Sequence, residues 1–151
     1  MRERDRETEH DLPERERLEA LALELGLADR IHWAGHQSDL AGWYSAMDLF
    51  TLTSDSEQLP VSLLEAMACG LAVAGTDVGD VRSTLPESTG DQLVPLAHDD
   101  VEGELARLYS ELLGDSDKRT AQGQLNRERV QRDYSREQML TTYRDLYLEA
   151  A

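Results

Sequence analysis

Two glutamates eight positions apart, Glu57 and Glu65, are the residues whose type and spacing best suit ligand chemistry. Pro60 lies between them and suits the first turn of a helix, where its missing N–H is no loss, and Gly70 suits the position just past the helix end. Carboxylates accept hydrogen bonds from hydroxyl groups, and the amides at a helix start favour phosphate groups. The segment therefore suits a ligand that carries both hydroxyls and phosphates.

The residues after this helix predict how the segment is positioned. An apolar run from Leu71 to Ala74 leads into the turn-like residues 75–79. The order of loop, helix, buried strand and loop predicts half of a parallel α/β unit. Open α/β sheets bind ligands at the carboxyl ends of their strands, so we expect the two glutamates at that edge.

Several motifs follow one another in an order that carries a family resemblance. Seven residues separate Glu57 from Glu65, and Glu65 begins the frame Glu-Ala-Met-Ala-Cys-Gly. Further segments match at residues 30–35, 44–54, 76–79 and 134–137. Together they resemble the retaining GT-B glycosyltransferases of family four, or group 1, over about residues 12 to 150. The resemblance implies an α/β fold: the GT-B carboxyl-terminal domain, a partial Rossmann-like three-layer parallel sheet without its first strands, with a helical carboxyl end.

The resemblance also implies a binding site for a nucleotide sugar. Glu65 would bind ribose hydroxyls, Glu57 and the turn after it would bind the transferred sugar, and amides at the helix start would face the diphosphate. Gly35 and His36 would lie near the base. No metal, cofactor or catalytic residue is implied for this chain. The expected sugar-nucleotide contacts come from Glu57, Gln58, Leu59, Val61, Ser62, Leu63 and Glu65.

Other groupings of polar residues have simpler interpretations. His32 and His36 have a metal-like spacing for a helix, but Gly35 at a predicted strand end argues against a metal site. Asp115-Ser116-Asp117 is similar to the metal motif of another glycosyltransferase fold, but its place before a helix favours capping. Cys69 stands among small residues and is expected to be a buried packing thiol.

The apolar periodicity predicts the following elements. In the last helix, Ser135 and Gln138 form a capping box, and Tyr143 and Tyr147 belong to an apolar stripe with Met139, Leu140 and Leu146. Strands are expected at Ile31 to Ala34, Leu49 to Leu52, Leu71 to Ala74 and Gln92 to Val94. Helices are expected at Pro13 to Leu25, 39–47, after Pro60, and at 100–113, 116–132 and 135–150.

Composition limits the function classes. The chain has 151 residues and one cysteine, and a single cysteine excludes an internal disulfide. Its net charge of −16 argues against non-specific binding to nucleic acid. The charged first ten residues hold no signal-peptide core, so we expect a cytoplasmic protein, either free or peripheral at the inner membrane face. We divide the chain into a charged, disordered leader (1–11), a partial Rossmann-like nucleotide-sugar-binding domain (12–133) and a carboxyl-terminal helix (134–151).

The resemblance also indicates missing parts. Enzymes of this family have a second Rossmann-like domain for the acceptor and a basic clamp for the diphosphate, and neither is found here. We therefore interpret the chain as a carboxyl-terminal fragment, inactive alone, which a partner chain could complete for transfer to a glycan, lipid or small-molecule acceptor. Whether it is an enzyme stays open, and the alternative is a non-catalytic nucleotide-binding or interaction module. Without the first strands, residues 49–52 become an open sheet edge that invites self-association.

Overall fold

The structure, a computed structural model, describes residues 12–149. The predicted leader, residues 1–11, lies outside the described residues. The chain divides into two compact units, Met1–Leu40 and Ala41–Ala151. No helix in the described part is long and apolar enough to cross a membrane.

The described part of the first unit contains a helix, a 3-10 turn and an irregular segment at residues 31–39. Helix α1 comprises Leu12–Glu24. Gly26 terminates the chain's helical course with a φ of 67°, in the left-handed region that glycine favours, and a 3-10 turn (Ala28–Arg30) follows. The predicted strand from Ile31 to Ala34 is wrong, because these residues join no sheet. A strand needs a neighbouring backbone to pair its amides and carbonyls, and residues 12–40 contain no strand that could serve.

The second unit is built around a parallel sheet of three strands in the order β1-β2-β3. The strands are β1 (Phe50–Leu52), β2 (Val73–Asp77) and β3 (Leu93–Pro95). The helices after α1 are α2 (Leu40–Ser45), α3 (Val61–Ala68), α4 (Val81–Thr84), α5 (Val101–Gly114), α6 (Ser116–Asp133) and α7 (Arg136–Glu149), and a 3-10 turn (Glu87–Gln92) precedes β3. The α/β fold with a helical carboxyl end is therefore confirmed.

Strand β2 lies in the middle of the sheet and is buried on both faces. Val73 faces a cluster with Leu63 and Met67 of α3, whereas Ala74 faces a cluster with Leu108 of α5. Helices thus cover both faces of the sheet, as a three-layer fold requires. Among the described residues β1 pairs only with β2, so it is the open edge that the sequence predicted.

The end of α3 explains why β2 begins later than the sequence indicates. Gly70 has a φ of 79°. Its N–H donates to the carbonyl of Met67 at 2.9 Å, and the N–H of Leu71 donates to the carbonyl of Ala66 at 3.1 Å. These two bonds form a Schellman motif. Leu71 therefore completes the helix cap, and pairing with β1 starts at Val73.

Side-chain caps begin the helices of the carboxyl half. The carboxylate of Asp100 accepts from the Gly103 amide, and that of Asp115 from the Lys118 amide, both at 2.9 Å. The hydroxyl of Ser135 accepts from the Gln138 amide at 3.1 Å. The capping interpretation of Asp115 is confirmed.

Two packing predictions are wrong. Cys69 is exposed because α3 buries Leu63, Ala66 and Met67 and ends at Ala68, so Cys69 is the C-cap that follows the packed part of the helix. The stripe on α7 is also exposed: Tyr143 and Tyr147 show 56% and 75% of their surface. In the described part of the chain, α7 contains no buried residue.

Candidate functional site

The loops that follow β1 and β2 meet at the carboxyl edge of the sheet. The amide of Asp80, in the loop after β2, donates to the carbonyl of Gln58 at 2.9 Å. Gly79 approaches so closely that a Cβ there would lie 2.1 Å from the carbonyl oxygen of Glu57. Only glycine fits this contact, and its φ of 51° is also in the left-handed region. The backbone of Glu57 and Gln58 is therefore fixed by the neighbouring loop.

The carboxylate of Glu57 is held by a hydroxyl group. Oγ of Ser54 donates to Oε1 of Glu57 at 2.7 Å, and both side chains are partly buried. Ser54 is held in turn, because Oγ1 of the buried Thr76 donates to its carbonyl at 2.6 Å. A chain of two hydrogen bonds thus connects the central strand with Glu57.

The carboxylate of Glu65 is held in a similar way by Tyr44. Glu65 is half-buried in the second turn of α3, and the Tyr44 hydroxyl donates to its Oε2 at 3.0 Å. Tyr44 comes from α2, is only 7% exposed and packs against Ala66 and Leu71. Burial, and then the hydrogen bond to the Glu65 carboxylate, raise the pKa of Tyr44 to about 12. The phenol is therefore a neutral hydrogen-bond donor at physiological pH.

The start of α3 lies between the two carboxylates in the sequence. Pro60 is the N-cap and makes no side-chain cap, while its carbonyl accepts from the Leu63 amide at 3.2 Å. The first amides of an α-helix have no partner within the helix, so those of Val61 and Ser62 can bind a ligand. Leu59 and Val61 are exposed, whereas the Leu63 side chain is fully buried and belongs to the core.

The predicted site residues fall in both units of the chain. Glu57 lies in the loop that follows β1, and Glu65 lies in the second turn of α3, which that loop leads into. Gly35 and His36 belong to the first unit, where both are exposed and Gly35 has a φ of 62°. Within the described residues, no group of three or more histidine, cysteine or acidic side chains could hold a metal ion.

Three side chains at this edge were missed by sequence reasoning. Tyr44 and Ser54 hold the two glutamates, and Arg82 pairs with Asp77 at 2.6 Å and donates to the Gly90 carbonyl at 3.0 Å. Ser54 could have been found, because a hydroxyl three residues before a carboxylate often bonds to it. Tyr44 precedes Glu65 by 21 residues, and no local pattern connects the two.

Comparison with known proteins identifies the family. The sequence profile described as "Glycosyl transferases group 1" matches residues 9–115. The chain belongs to this family. This group 1 glycosyltransferase chain is 38% identical over 103 residues to the D-inositol 3-phosphate glycosyltransferase of Thermobispora bispora, with 67% of the chain and 23% of the relative covered. It is 29% identical to the lipopolysaccharide core biosynthesis glycosyltransferase LpsE of Rhizobium meliloti, over 90% of the chain and 39% of the relative.

Solved structures agree with the GT-B fold. Sucrose-phosphate synthase from Thermosynechococcus elongatus superposes with a TM-score of 0.77 and 32% identity, over 91% of this chain and 35% of that one. The carboxyl-terminal domain of the group 1 glycosyl transferase LpcC from Francisella tularensis gives a TM-score of 0.66 at 23% identity, over 85% of this chain and 66% of that one, which shows the fold alone. The resemblance to a GT-B carboxyl-terminal domain is therefore confirmed. The chain spans between 23% and 39% of the length of the two curated relatives.

Proposed function

We propose that the second unit binds the nucleotide-sugar substrate of a retaining sugar transfer. The observation that carries this proposal is the pair of half-buried glutamates, Glu57 and Glu65, each with one carboxylate oxygen held by a hydroxyl donor. Such carboxylates retain further acceptor positions for the hydroxyls of a ligand. Their place at the carboxyl edge of a parallel sheet agrees with the general position of ligands in open α/β folds.

Each part of the ligand has a matching group. Glu65 accepts from the ribose hydroxyls, while Glu57, Gln58 and Leu59 surround the transferred sugar. The amides of Val61 and Ser62 and the dipole of α3 favour the diphosphate. The Leu63 amide completes this turn, although it already donates to Pro60. Gly35 and His36 remain the proposed residues near the base.

Sugar transfer needs more than these residues. A departing nucleoside diphosphate is stabilised by placed positive groups, and Arg82 at this edge is already ion-paired with Asp77. We therefore propose that the acceptor-binding and catalytic groups come from a further chain. We also propose that the acceptor is a glycan, lipid or small molecule. The cytoplasm is the proposed location of the protein. No metal or other cofactor takes part in the binding that we propose.

The same ion pair favours the second candidate function, a nucleotide-binding module without catalysis. With Arg82 occupied, binding depends on amides and carboxylates, which suffice for recognition but supply little stabilisation of a leaving diphosphate. The two candidates differ in one respect: a transferase requires a partner that restores turnover, and a binding module does not.

Calorimetry on the two glutamate variants tests the proposed site. Glu65→Ala should weaken binding of both the nucleoside diphosphate and the nucleotide sugar by about 5- to 150-fold, since a charge-assisted hydrogen bond contributes about 1–3 kcal/mol. Glu57→Ala should weaken binding of the nucleotide sugar but not of the nucleoside diphosphate. Glu24→Ala, which removes the same charge from an exposed position of α1, is the control. Equal losses for both variants on the nucleoside diphosphate alone would reject the assigned roles.

A further inference from the structure

We propose that Tyr44 is a positioning residue for ribose recognition, acting through the carboxylate of Glu65. The inference rests on the proposed function, which gives Glu65 the ribose, and adds a residue that does not itself touch the ligand. The hydroxyl of Tyr44 lies 3.0 Å from Oε2 of Glu65, and the two side chains come from different helices, α2 and α3. The contact therefore fixes Glu65 against an element outside its own helix.

The ring of Tyr44 is packed in a buried cluster, which restricts the positions of its hydroxyl. Its neighbours Ala66 and Leu71 are buried, and the ring of Phe50 lies 6.1 Å away at an angle of 60°. A glutamate side chain has three rotatable bonds, and its restriction on ligand binding is unfavourable in entropy. Because Tyr44 restricts Glu65 before the ligand arrives, part of the side-chain entropy of Glu65 is already lost in the free protein, and less is lost on binding.

The chemistry of the contact leaves the carboxylate able to bind a diol. The phenol supplies one hydrogen bond to Oε2, whereas each carboxylate oxygen has two acceptor positions. The Tyr44 hydroxyl does not occupy Oε1, Oε2 retains one position, and two neighbouring ribose hydroxyls can donate to the two oxygens. A cation in the place of Tyr44 would compete with the ligand for the negative charge, and a neutral phenol does so much less.

The inference predicts which part of the ligand depends on Tyr44. If the residue acts through Glu65, its hydroxyl should matter for nucleotides that have the ribose diol and not for those that lack it. A purely structural role of Tyr44 would instead weaken both kinds of nucleotide equally. The ratio of the two affinities therefore separates positioning from general stability.

The experiment compares ribonucleotides with their 2′,3′-dideoxy forms. NMR titrations of the labelled chain with ADP, GDP and UDP, each beside its dideoxy counterpart, measure affinities up to the millimolar range. For the nucleotide that binds, the native chain should prefer the ribo form about tenfold or more, because a site built to bond hydroxyls rejects analogues without them. Tyr44→Phe should reduce that preference about 3- to 10-fold and leave the dideoxy affinity within about twofold.

Two further variants complete the design. In a Glu65→Ala background, Tyr44→Phe should have no additional effect on the preference, as expected when one residue acts through the other. Tyr109→Phe removes a tyrosine hydroxyl that contacts Thr51 instead, and should leave the preference unchanged. A second measurement keeps the hydroxyl of Tyr44: with 3-fluorotyrosine in place of the tyrosines, the ¹⁹F signal assigned to Tyr44 should shift with the ribonucleotide and stay in place with the dideoxy form.

The failures are distinguishable. If the native chain binds no nucleotide, or binds both forms equally, the proposed function fails and this inference fails with it. If the native chain prefers the ribo form and Tyr44→Phe keeps the full preference, or if the ¹⁹F signal does not respond, the proposed function stands and the role of Tyr44 is rejected.

Discussion

At the scale of single residues, the site is defined by neutral hydroxyl groups that hold negative charges. Ser54 and Tyr44 each donate to one oxygen of a glutamate, and neither brings a positive charge. Arg82, the first arginine or lysine after Glu65 in the sequence, is paired with Asp77. The carboxylates are therefore oriented without being neutralised, which suits binding of polyhydroxyl ligands.

Tyr44 predicts a change in stability at alkaline pH. Its pKa rises from 10.0 to about 12 on folding, so the folded state holds the phenol proton more tightly than the unfolded state. The resulting stabilisation, on the order of 2 kcal/mol, is fully present below pH 10 and is lost as the pH rises through about 12. Urea unfolding of the native chain and of Tyr44→Phe should show a difference in stability that shrinks from pH 9 to pH 12. A difference independent of pH over this range would contradict the role of the buried phenol.

Gly79 predicts a strong effect of a single methyl group. In Gly79→Ala the Cβ would meet the Glu57 carbonyl oxygen at 2.1 Å, and the backbone has a φ of 51°. We expect a loss of about 2–4 kcal/mol in the free energy of unfolding, measured in urea, with displacement of Glu57. Gly26→Ala is the matched control, because its φ is 67° and its Cβ would meet nothing within 4 Å. It should cost only about 1 kcal/mol, and equal losses would show that the contact with Glu57 is unimportant.

At the scale of elements, helix ends and loop contacts determine the geometry of the site. The Schellman motif after α3 sets where β2 begins, and β2 carries Thr76 to Ser54. Helix α6 packs closely against this cap: a Cβ on Gly123 would lie 1.9 Å from the carbonyl oxygen of Gly70. The side-chain amide of Asn126 donates to the carbonyl of Leu71 at 2.9 Å. Helix α6 thus holds the far end of α3 through backbone and polar contacts.

Asp115 predicts a capping effect without metal dependence. Asp115→Ala should destabilise the protein by about 1 kcal/mol, because its carboxylate accepts from the Lys118 amide. Asp117→Ala, in the first turn of the same helix and exposed, is the matched control and should have a smaller effect. Addition of Mn²⁺ or Mg²⁺ should leave the Tm of the native chain unchanged. A metal-dependent rise in Tm that Asp115→Ala abolishes would support the metal motif instead.

Elements with a local signal could be predicted from the sequence, and those that depend on distant partners could not. The starts of α5 and α6 follow from Asp100 and Asp115, whose caps lie three residues away. The strand predicted at 31–34 depended on a neighbouring strand, which its local pattern cannot reveal. In the site, Glu57 and Glu65 were recognisable because the family resemblance covers both of them in one short segment. Tyr44 was not, because the fold alone brings it to Glu65.

At the scale of the whole molecule, exposed apolar surface and charge act in opposite directions. Among residues 12–149 strand β1 has an open edge, and α7 exposes Met139, Tyr143 and Tyr147 by half or more of their surface. Open edges and apolar stripes favour association. The net charge of −16 opposes it, most strongly at low salt, and also repels an anionic nucleotide sugar.

The isolated chain should therefore self-associate in high salt and should transfer no sugar. Light scattering of the purified chain over a range of KCl concentrations measures the first property. A nucleoside-diphosphate release assay with a panel of nucleotide sugars and acceptors measures the second. A monodisperse monomer that turns over a nucleotide sugar at about 1 s⁻¹ or faster would contradict this prediction and the need for a further chain.

The exposed position of Cys69 makes the chain convenient to label. It is the single cysteine of the sequence and follows the last residue of α3, one turn after Glu65. A maleimide dye or spin label would attach at one defined place without any mutation. Since that place is the C-cap of α3, four residues after Glu65, the label's fluorescence or spectrum offers a direct signal for ligand binding at the proposed site.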